Sequence, residues 1–523
     1  RDQPRSRGLG DVYKRQELDT FTIEKMGVPS LVLMERAALA VAEEVLRGGY
    51  STKRILVVCG SGNNGGDGVA AARILHLKGY HVDIWEVGNP EKYSEGMKAQ
   101  TAIAGNYRIN FVTNPVYHEY TVIVDAVFGV GLTREITGRY AEIIEQINQS
   151  RVPVVAVDIP SGINSDTGKQ MGCAVHAAAT VTFAYGKAGN FLGDGQTHCG
   201  KVIIADIGIY APDRIADEKI LLPCGNGKDV SLYQIEECDL QRLPERQENG
   251  NKGTFGKVLL IAGSEHMAGA ALLAGKACMR AGCGMLKIYT VRGNRDFLLA
   301  GLPEAMLSVY EDGEDETVQL QQDLDWADVI GIGPGLSTNP RAARILEYVL
   351  KYKGQKPCVM DADALNLLSV HMELLDESES PCILTPHIGE FARLLGEEIS
   401  AIKGDPAEWA WAFSKKYGVV CVCKDARTVT MMPDGTGYIN TSGCSALATA
   451  GSGDVLTGIL LGLLAQTPGH QEIQIAPLAV YLHGRLGERA ARRLSAAGVL
   501  AEDLIDELVI MQRELEQVDE KTG

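Results

Sequence analysis

Short runs of uninterrupted apolar residues, each closing on a polar or glycine-rich loop, recur along this chain and constrain its fold more than any other feature. In the first half they are Arg54-Ile-Leu-Val-Val-Cys59, His81 to Val87, Thr121-Val-Ile-Val-Asp125 and Pro153-Val-Val-Ala-Val-Asp158. In the second half they are Lys257-Val-Leu-Leu-Ile-Ala262, Asp328-Val-Ile-Gly-Ile332, Pro357-Cys-Val-Met-Asp361, Cys382-Ile-Leu-Thr385 and Val419-Val-Cys-Val-Cys423. Runs of this length without polar alternation suit strands buried on both faces. Alternating with helical segments, they predict an α/β chain with parallel sheets. Gln16 to Leu46 reads as helical, with Met34, Ala37, Ala38, Val41 and Val45 at helical spacing, and Val69 to Leu77 reads as the next helix.

The pattern weakens between Asp213 and Asn251, where Pro223, Gly225, Gly227 and Pro244 accompany a charged run from Glu245 to Glu248. A linker is expected there. The expected organisation is a non-native or disordered segment over 1–15, a first domain over 16–215, a linker over 216–245 and a second domain over 246–515. The opening segment lacks a starting Met and is basic in an acidic protein.

Charge and cysteine usage narrow the function classes. Lys and Arg total 50 against 67 Asp and Glu, a formal net charge of −17. Without a long basic run, this balance argues against nucleic acid or an anionic membrane as partner. The longest apolar stretch, Leu456 to Ala465, is far short of the ~20 residues that span a bilayer, and no signal-peptide core opens the chain. The 12 cysteines are scattered, with only Cys421 and Cys423 close together and no CxxC pair. They read as mostly buried reduced thiols of a cytoplasmic protein, and a zinc ribbon is not expected.

Gly60-Ser-Gly-Asn-Asn-Gly-Gly-Asp-Gly68 follows a strand and opens a helix. Glycines let backbone approach a phosphate, and helix N-terminal amides face it. Gly60-x-Gly62-x-x-Gly65 also fits a dinucleotide fingerprint, though alone it is weak. Residues at the carboxyl ends of parallel strands converge on a ligand, which brings Asn64, Asp125 and Asp158 together. An oxygen-only set of Asn64, Asp125 and Ser161 suits a hard or weakly hydrated cation. The plain alternative is that these aspartates cap helices or turns.

Together with Pro29-Ser-Leu-Val-Leu-Met-Glu-Arg-Ala37, the segments Gly62 to Gly68, Asp125-Ala-Val-Phe-Gly-Val-Gly-Leu132 and Asp158-Ile-Pro-Ser-Gly162 resemble the NAD(P)H-hydrate epimerase family over about Gln16 to Asp213. The resemblance implies a Rossmann-like three-layer αβα domain and a potassium ion held by Asn64, Asp125 and Ser161. It implies substrate contacts at Asn63, Asn64, Gly65, Gly66 and Asp67, at Gly129, Val130, Gly131, Leu132, Thr133, Arg134 and Glu135, and at Asp158. Lys187, in Phe183-Ala-Tyr-Gly-Lys-Ala-Gly189, matches a lysine of the same family, and Asp158 and Lys187 are its acid–base candidates.

Thr449-Ala-Gly-Ser-Gly-Asp454 precedes an apolar helix. The glycine turn offers an anion hole for a transferring phosphoryl group, with Asp454 at its mouth as a proton acceptor. A simple helix cap is the competing role for Asp454. Gly331-Ile-Gly-Pro-Gly335, Asp361 to Asn366, Thr385-Pro-His-Ile-Gly-Glu390 and Lys424 to Thr428 each follow an expected strand. This set is similar to the ADP/ATP-dependent NAD(P)H-hydrate dehydratases, a ribokinase-like branch, over about Asn251 to Leu508. It implies nucleotide contacts at Lys424, Asp425, Ala426, Arg427, Thr428 and Gly453, and hydrate contacts at Ala270, Gly335, His387 and Asp454. Asp425 stands where that family leads one to expect Gly.

The two resemblances imply an enzyme that repairs hydrated NADH and NADPH. One domain would epimerise the hydrates at C6. The other would dehydrate the S form with Mg²⁺ and ADP or ATP. A homo-oligomer is expected, with no nucleic-acid or membrane partner. Three other readings stay open: a ribokinase-like small-molecule kinase with a nucleotide-binding N-terminal domain, a non-catalytic dinucleotide-binding scaffold, and, more weakly, a dehydrogenase.

Overall fold

The computed structural model describes residues 7–8, 12–210, 231–311, 317–376, 382–467 and 472–522. The chain divides into two compact units, with the boundary between Leu232 and Tyr233. The helix α1 (Val12–Glu24) starts inside the segment 1–15, most of which lies outside the described residues, as do 211–215 at the end of the expected first domain and 216–230 of the expected linker. The remainder of that linker carries a short strand, Ser231–Gln234.

In the N-terminal unit the apolar runs are the strands β1 (Ile55–Cys59), β2 (Val82–Glu86), β4 (Val122–Ala126) and β5 (Val154–Val157). The short β3 (Asn110–Phe111), β6 (Ala179–Phe183) and β7 (Lys201–Ala205) complete one parallel sheet of order β3-β2-β1-β4-β5-β6-β7. Alternate residues feed opposite cores. Ile55, Val57 and Cys59 pack with α2 (Ser30–Arg47) and α3 (Asn63–Leu77), while Leu56 and Val58 pack with α5 (Arg139–Ser150). This is the three-layer Rossmann-like arrangement, and its strand order reverses between β1 and β4, where such sheets bind ligands.

Two helix expectations need correction. The stretch from Gln16 to Leu46 is two helices, α1 and α2, interrupted around Gly27 and Pro29; Gly27 has φ +75°. Proline suits a helix start and lacks the N–H of a helix interior. The helix expected from Val69 begins at Asn63 and takes the glycine run inside its first turns. Packing overrides propensity there: a Cβ on Gly65 would lie 2.2 Å from the Gly60 carbonyl oxygen.

The C-terminal unit repeats the logic with β8 (Lys257–Ile261), β9 (Met285–Val291), β10 (Met306–Tyr310), β11 (Val329–Ile332), β12 (Cys358–Met360), β13 (Cys382–Leu384) and β14 (Val420–Cys423). These pair in parallel in the order β14-β13-β12-β11-β8-β9-β10. Two antiparallel strands, β15 (Val429–Met431) and β16 (Thr436–Ile439), extend the sheet beyond β14. The order reverses at β8/β11. Helix α12 (Ser452–Ala465) is buried along most of its length, in one core with Val258 and Leu260 of β8. Among the described residues the cysteines form no disulfide; Cys421 and Cys423 are buried in β14 and not joined to each other. No helix among the described residues is long and apolar enough to cross a membrane.

Candidate active sites

At the β1/β4 reversal three loops meet. Asp125 ends β4 and is fully buried; its two oxygens accept the Ser161 N–H at 2.8 Å and the Ser161 hydroxyl at 2.6 Å. The same hydroxyl accepts the Phe128 N–H at 2.8 Å. Burial pushes the Asp125 carboxyl above its usual range, and the Ser161 bonds pull it back only in part. A cation at its open lone pairs would offset that desolvation. Asn64 packs on Gly129 in this cluster, and its buried Nδ2 has no hydrogen-bond partner. That Nδ2 is a donor and would not touch a cation; the Asn64 Oδ1 and the Asp125 carboxylate are the oxygens of this cluster that suit an oxygen-ligated ion.

Asp158, with φ +68°, ends β5 in a conformation costly for a residue with a side chain. Its Oδ1 accepts the Lys187 ammonium at 2.5 Å, the Thr182 hydroxyl at 3.2 Å and the Phe183 N–H at 3.2 Å. Lys187 also donates to the Thr182 hydroxyl at 2.6 Å and the Phe183 carbonyl at 3.3 Å. Both charged side chains are buried. Lys187 is therefore not a solvated surface lysine. A cavity of about 400 Å³ is lined by Asn63, Asp67, Met34, Ser94, Gly96 and Phe183 among others; Asp158 and Lys187 are not in its lining.

Among the expected substrate contacts, Gly65, Gly66 and Asp67 are buried in the first turns of α3, and Asn63 is exposed at its tip. In the loop after β4, Gly131, Thr133, Arg134 and Glu135 are exposed and Leu132 is buried, while Gly129 and Val130 are half-buried. The sequence reading missed Thr182, which bridges the ion pair from β6.

The C-terminal site gathers on α12. Gly451, φ +86°, takes the N-cap position, and Asp454 sits three residues further on. Asp454 is thus not the N-cap. Burial first, then Asp361, raises its carboxyl to about 7; Lys424 opposes the shift and Asp363 adds to it. The Lys424 ammonium donates to Asp361 at 2.7 Å and lies 3.5 Å from where a Cβ on Gly453 would stand.

Gly335 and Ala270 are neighbours: a Cβ on Gly335 would come 3.0 Å from that of Ala270. His387 bridges to Lys424 between strand ends. It also caps α10 (Ile388–Leu395), its Nδ1 accepting the Gly389 N–H at 3.0 Å. Burial and then Lys424 lower its imidazole below the usual value, so it is neutral near pH 7. Asp425 and Ala426 are exposed, Thr428 is buried, and Arg427 donates to the Thr441 carbonyl at 2.9 Å. Two participants escaped the sequence reading. Thr457 donates to Asp361 at 2.8 Å, and the buried His483 meets the Ser452 hydroxyl at 3.2 Å.

Comparison with known proteins matches both units. Residues 258–509 match the family model described as NAD(P)H-hydrate dehydratase, and residues 30–189 match that of the YjeF-related protein N-terminus. The bifunctional NAD(P)H-hydrate repair enzyme Nnr of Moorella thermoacetica is 36% identical over 521 residues, covering 96% of each chain. An NAD(P)H-hydrate epimerase of Oenococcus oeni is 52% identical over 196 residues, 37% of this chain and 93% of its own. A crystal structure of the ADP/ATP-dependent NAD(P)H-hydrate dehydratase of Bacillus subtilis with ATP and Mg²⁺ is 34% identical, covers 53% of this chain and 96% of its own, and has a TM-score of 0.46. With a full-length relative at this identity, and both units matched in order, the chain belongs to the family of bifunctional NAD(P)H-hydrate repair enzymes.

Proposed function

We propose that this chain restores hydrated NADH and NADPH, its N-terminal unit interconverting the C6 epimers and its C-terminal unit dehydrating the S epimer with ADP or ATP. Membership of the bifunctional family supports the reading. The observation that carries the dehydration step is Asp454, a half-buried carboxyl raised to about 7 at the mouth of the Gly451–Gly453 turn.

The hydrate has gained water across the ring and carries a hydroxyl at C6. Hydroxide leaves poorly, so the step begins by phosphorylation. Asp454 accepts the hydroxyl proton as the C6 oxygen bonds the terminal phosphorus of the nucleotide and the bridging P–O bond breaks. Amides of the glycine turn and the Lys424 ammonium hold the transferring group. The ring nitrogen lone pair then expels phosphate, and loss of a proton from C5 restores the double bond. Mg²⁺, when bound with the nucleotide, neutralises phosphate charge. His387, Gly335 and Ala270 line the hydrate side, and Lys424 to Thr428 the nucleotide side.

In the N-terminal unit Asn63 to Asp67, Gly129 to Glu135 and Asp158 would contact the hydrate. Asp158 and Lys187 would move the proton, and Asn64, Asp125 and Ser161 would hold a potassium ion, whose charge would steady these loops. Mostly buried thiols without a disulfide among the described residues suit a cytoplasmic setting.

The test mixes protein with both epimers of hydrated NADH, ADP or ATP, Mg²⁺ and K⁺, and follows reduced-nicotinamide absorbance. Complete recovery that needs nucleotide, and a fall of roughly 10²- to 10⁴-fold in Asp454→Ala, is expected. No recovery from folded protein with either nucleotide refutes the reading.

A further inference from the structure

The dehydration step leaves one buried carboxylate without a task. Asp361 follows β12 and is 2% exposed. One of its oxygens accepts Lys424 at 2.7 Å and the other accepts Thr457 at 2.8 Å. Its backbone is equally constrained. A Cβ on Gly333, φ +127°, would stand 1.8 Å from the Asp361 carbonyl oxygen, and Ala362 follows with φ +50°. Conformations of this kind persist only where the surroundings impose them. Thr457 lies three residues beyond Asp454 on α12, so Asp361 grips both the cation at the anion turn and the helix that carries the proton acceptor.

We propose that Asp361 is a positioning residue of the dehydration site: it holds the Lys424 ammonium at the Gly453 turn and occupies its charge, so that Lys424 neutralises Asp454 only in part. The inference rests on the function proposed above.

The groups facing Asp454 come from several elements. Asp361 stands at the end of β12, Asp363 on α9 (Asp363–Leu368), and Lys424 at the end of β14. At α10, His387 and Glu390 face Lys424 and Asp361. From α13 (Glu472–Leu494), His483 is held near 4 by burial and is neutral. Removing the Asp361 charge removes a repulsion that raises Asp454 and frees the Lys424 charge that lowers it; both act in one direction.

The experiment is the pH dependence of kcat/KM for dehydration, with the nucleotide KM measured beside it. In the wild type the rate falls on the acid side as Asp454 takes up its proton. In Asp361→Asn that acid limb is expected about one unit or more lower, with a nucleotide KM roughly tenfold higher as Lys424 loses its anchor. Lys424→Met is expected to move the limb the opposite way, to higher pH, which keeps the test decisive if Asp361→Asn does not fold. An acid limb unmoved in folded Asp361→Asn, or unmoved or lowered in Lys424→Met, overturns the inference while an active wild type leaves the proposed function standing. A wild type inactive on hydrated NADH overturns both.

Discussion

Each unit pairs a buried aspartate with a lysine at the carboxyl edge of a parallel sheet, but the two sites use the lysine differently. In the N-terminal unit Lys187 pairs directly with Asp158 at 2.5 Å, and the two side chains are 2% and 4% exposed. In the C-terminal unit Lys424 is held by Asp361 instead, and Asp454 keeps a carboxyl raised to about 7. Burial is the largest cause of the raised Asp454 carboxyl; Asp361 adds to it, and Lys424, already held by Asp361, opposes it. The first arrangement fixes an ion pair, and the second leaves a group that titrates near neutrality.

The comparison can be broken most sharply at Lys187. Lys187→Met strands Asp158 in a closed pocket and is expected to destabilise the N-terminal unit by about 3–5 kcal/mol, read as a lower denaturant midpoint, with epimerisation lost. Dehydration of the S epimer by any protein that stays folded should be unchanged. A small stability loss would mean that water or another donor reaches Asp158. Lys424→Met is expected to cost less, about 1.5–3 kcal/mol, because its side chain is 20% exposed and Asp361 keeps the Thr457 bond. Equal costs in the two variants would erase the distinction between the sites. The smallest effect is expected for Thr182→Val, about 1 kcal/mol. It removes the hydroxyl that touches both members of the N-terminal pair and leaves the charges in place. Epimerisation slowed by much more than stability falls would mark Thr182 as part of the proton path.

Much of the architecture was legible in the sequence because a strand buried on both faces must be apolar at every position. Val57 and Val58 are each fully buried on opposite faces of one strand. The strand from Ala179 to Phe183 escaped because Thr180 and Thr182 interrupt it; both are buried and hydrogen-bonded, which spacing does not reveal. The strand from Lys201 to Ala205 is partly exposed and gives a weaker signal. The start of α3 was hidden by glycines whose conformation is set by close contacts across the loop. In the candidate sites, motifs brought Asn64, Asp125, Asp158, Gly453 and Asp454 into view. The partners that tune them did not follow, because Asp361 meets a threonine 96 residues away. Which aspartate would claim Lys424 is a matter of ångströms, not of pattern.

The raised carboxyl of Asp454 has a consequence for the folding of its own unit. An ordinary aspartate titrates near 3.8, and this one, when folded, near 7. Between those values the folded unit retains a proton that the unfolded chain gives up. Stability from this group is therefore present below about pH 4 and declines as pH rises to about 7. Turnover, which needs the deprotonated acceptor, rises over the upper part of the same window. Thermal midpoint and dehydration rate should run in opposite directions there, and Asp454→Asn should unfold at a higher temperature than the wild type above pH 7 while no longer dehydrating its substrate. In this unit, the folded state gives up resistance to heat at the pH where the carboxylate becomes useful.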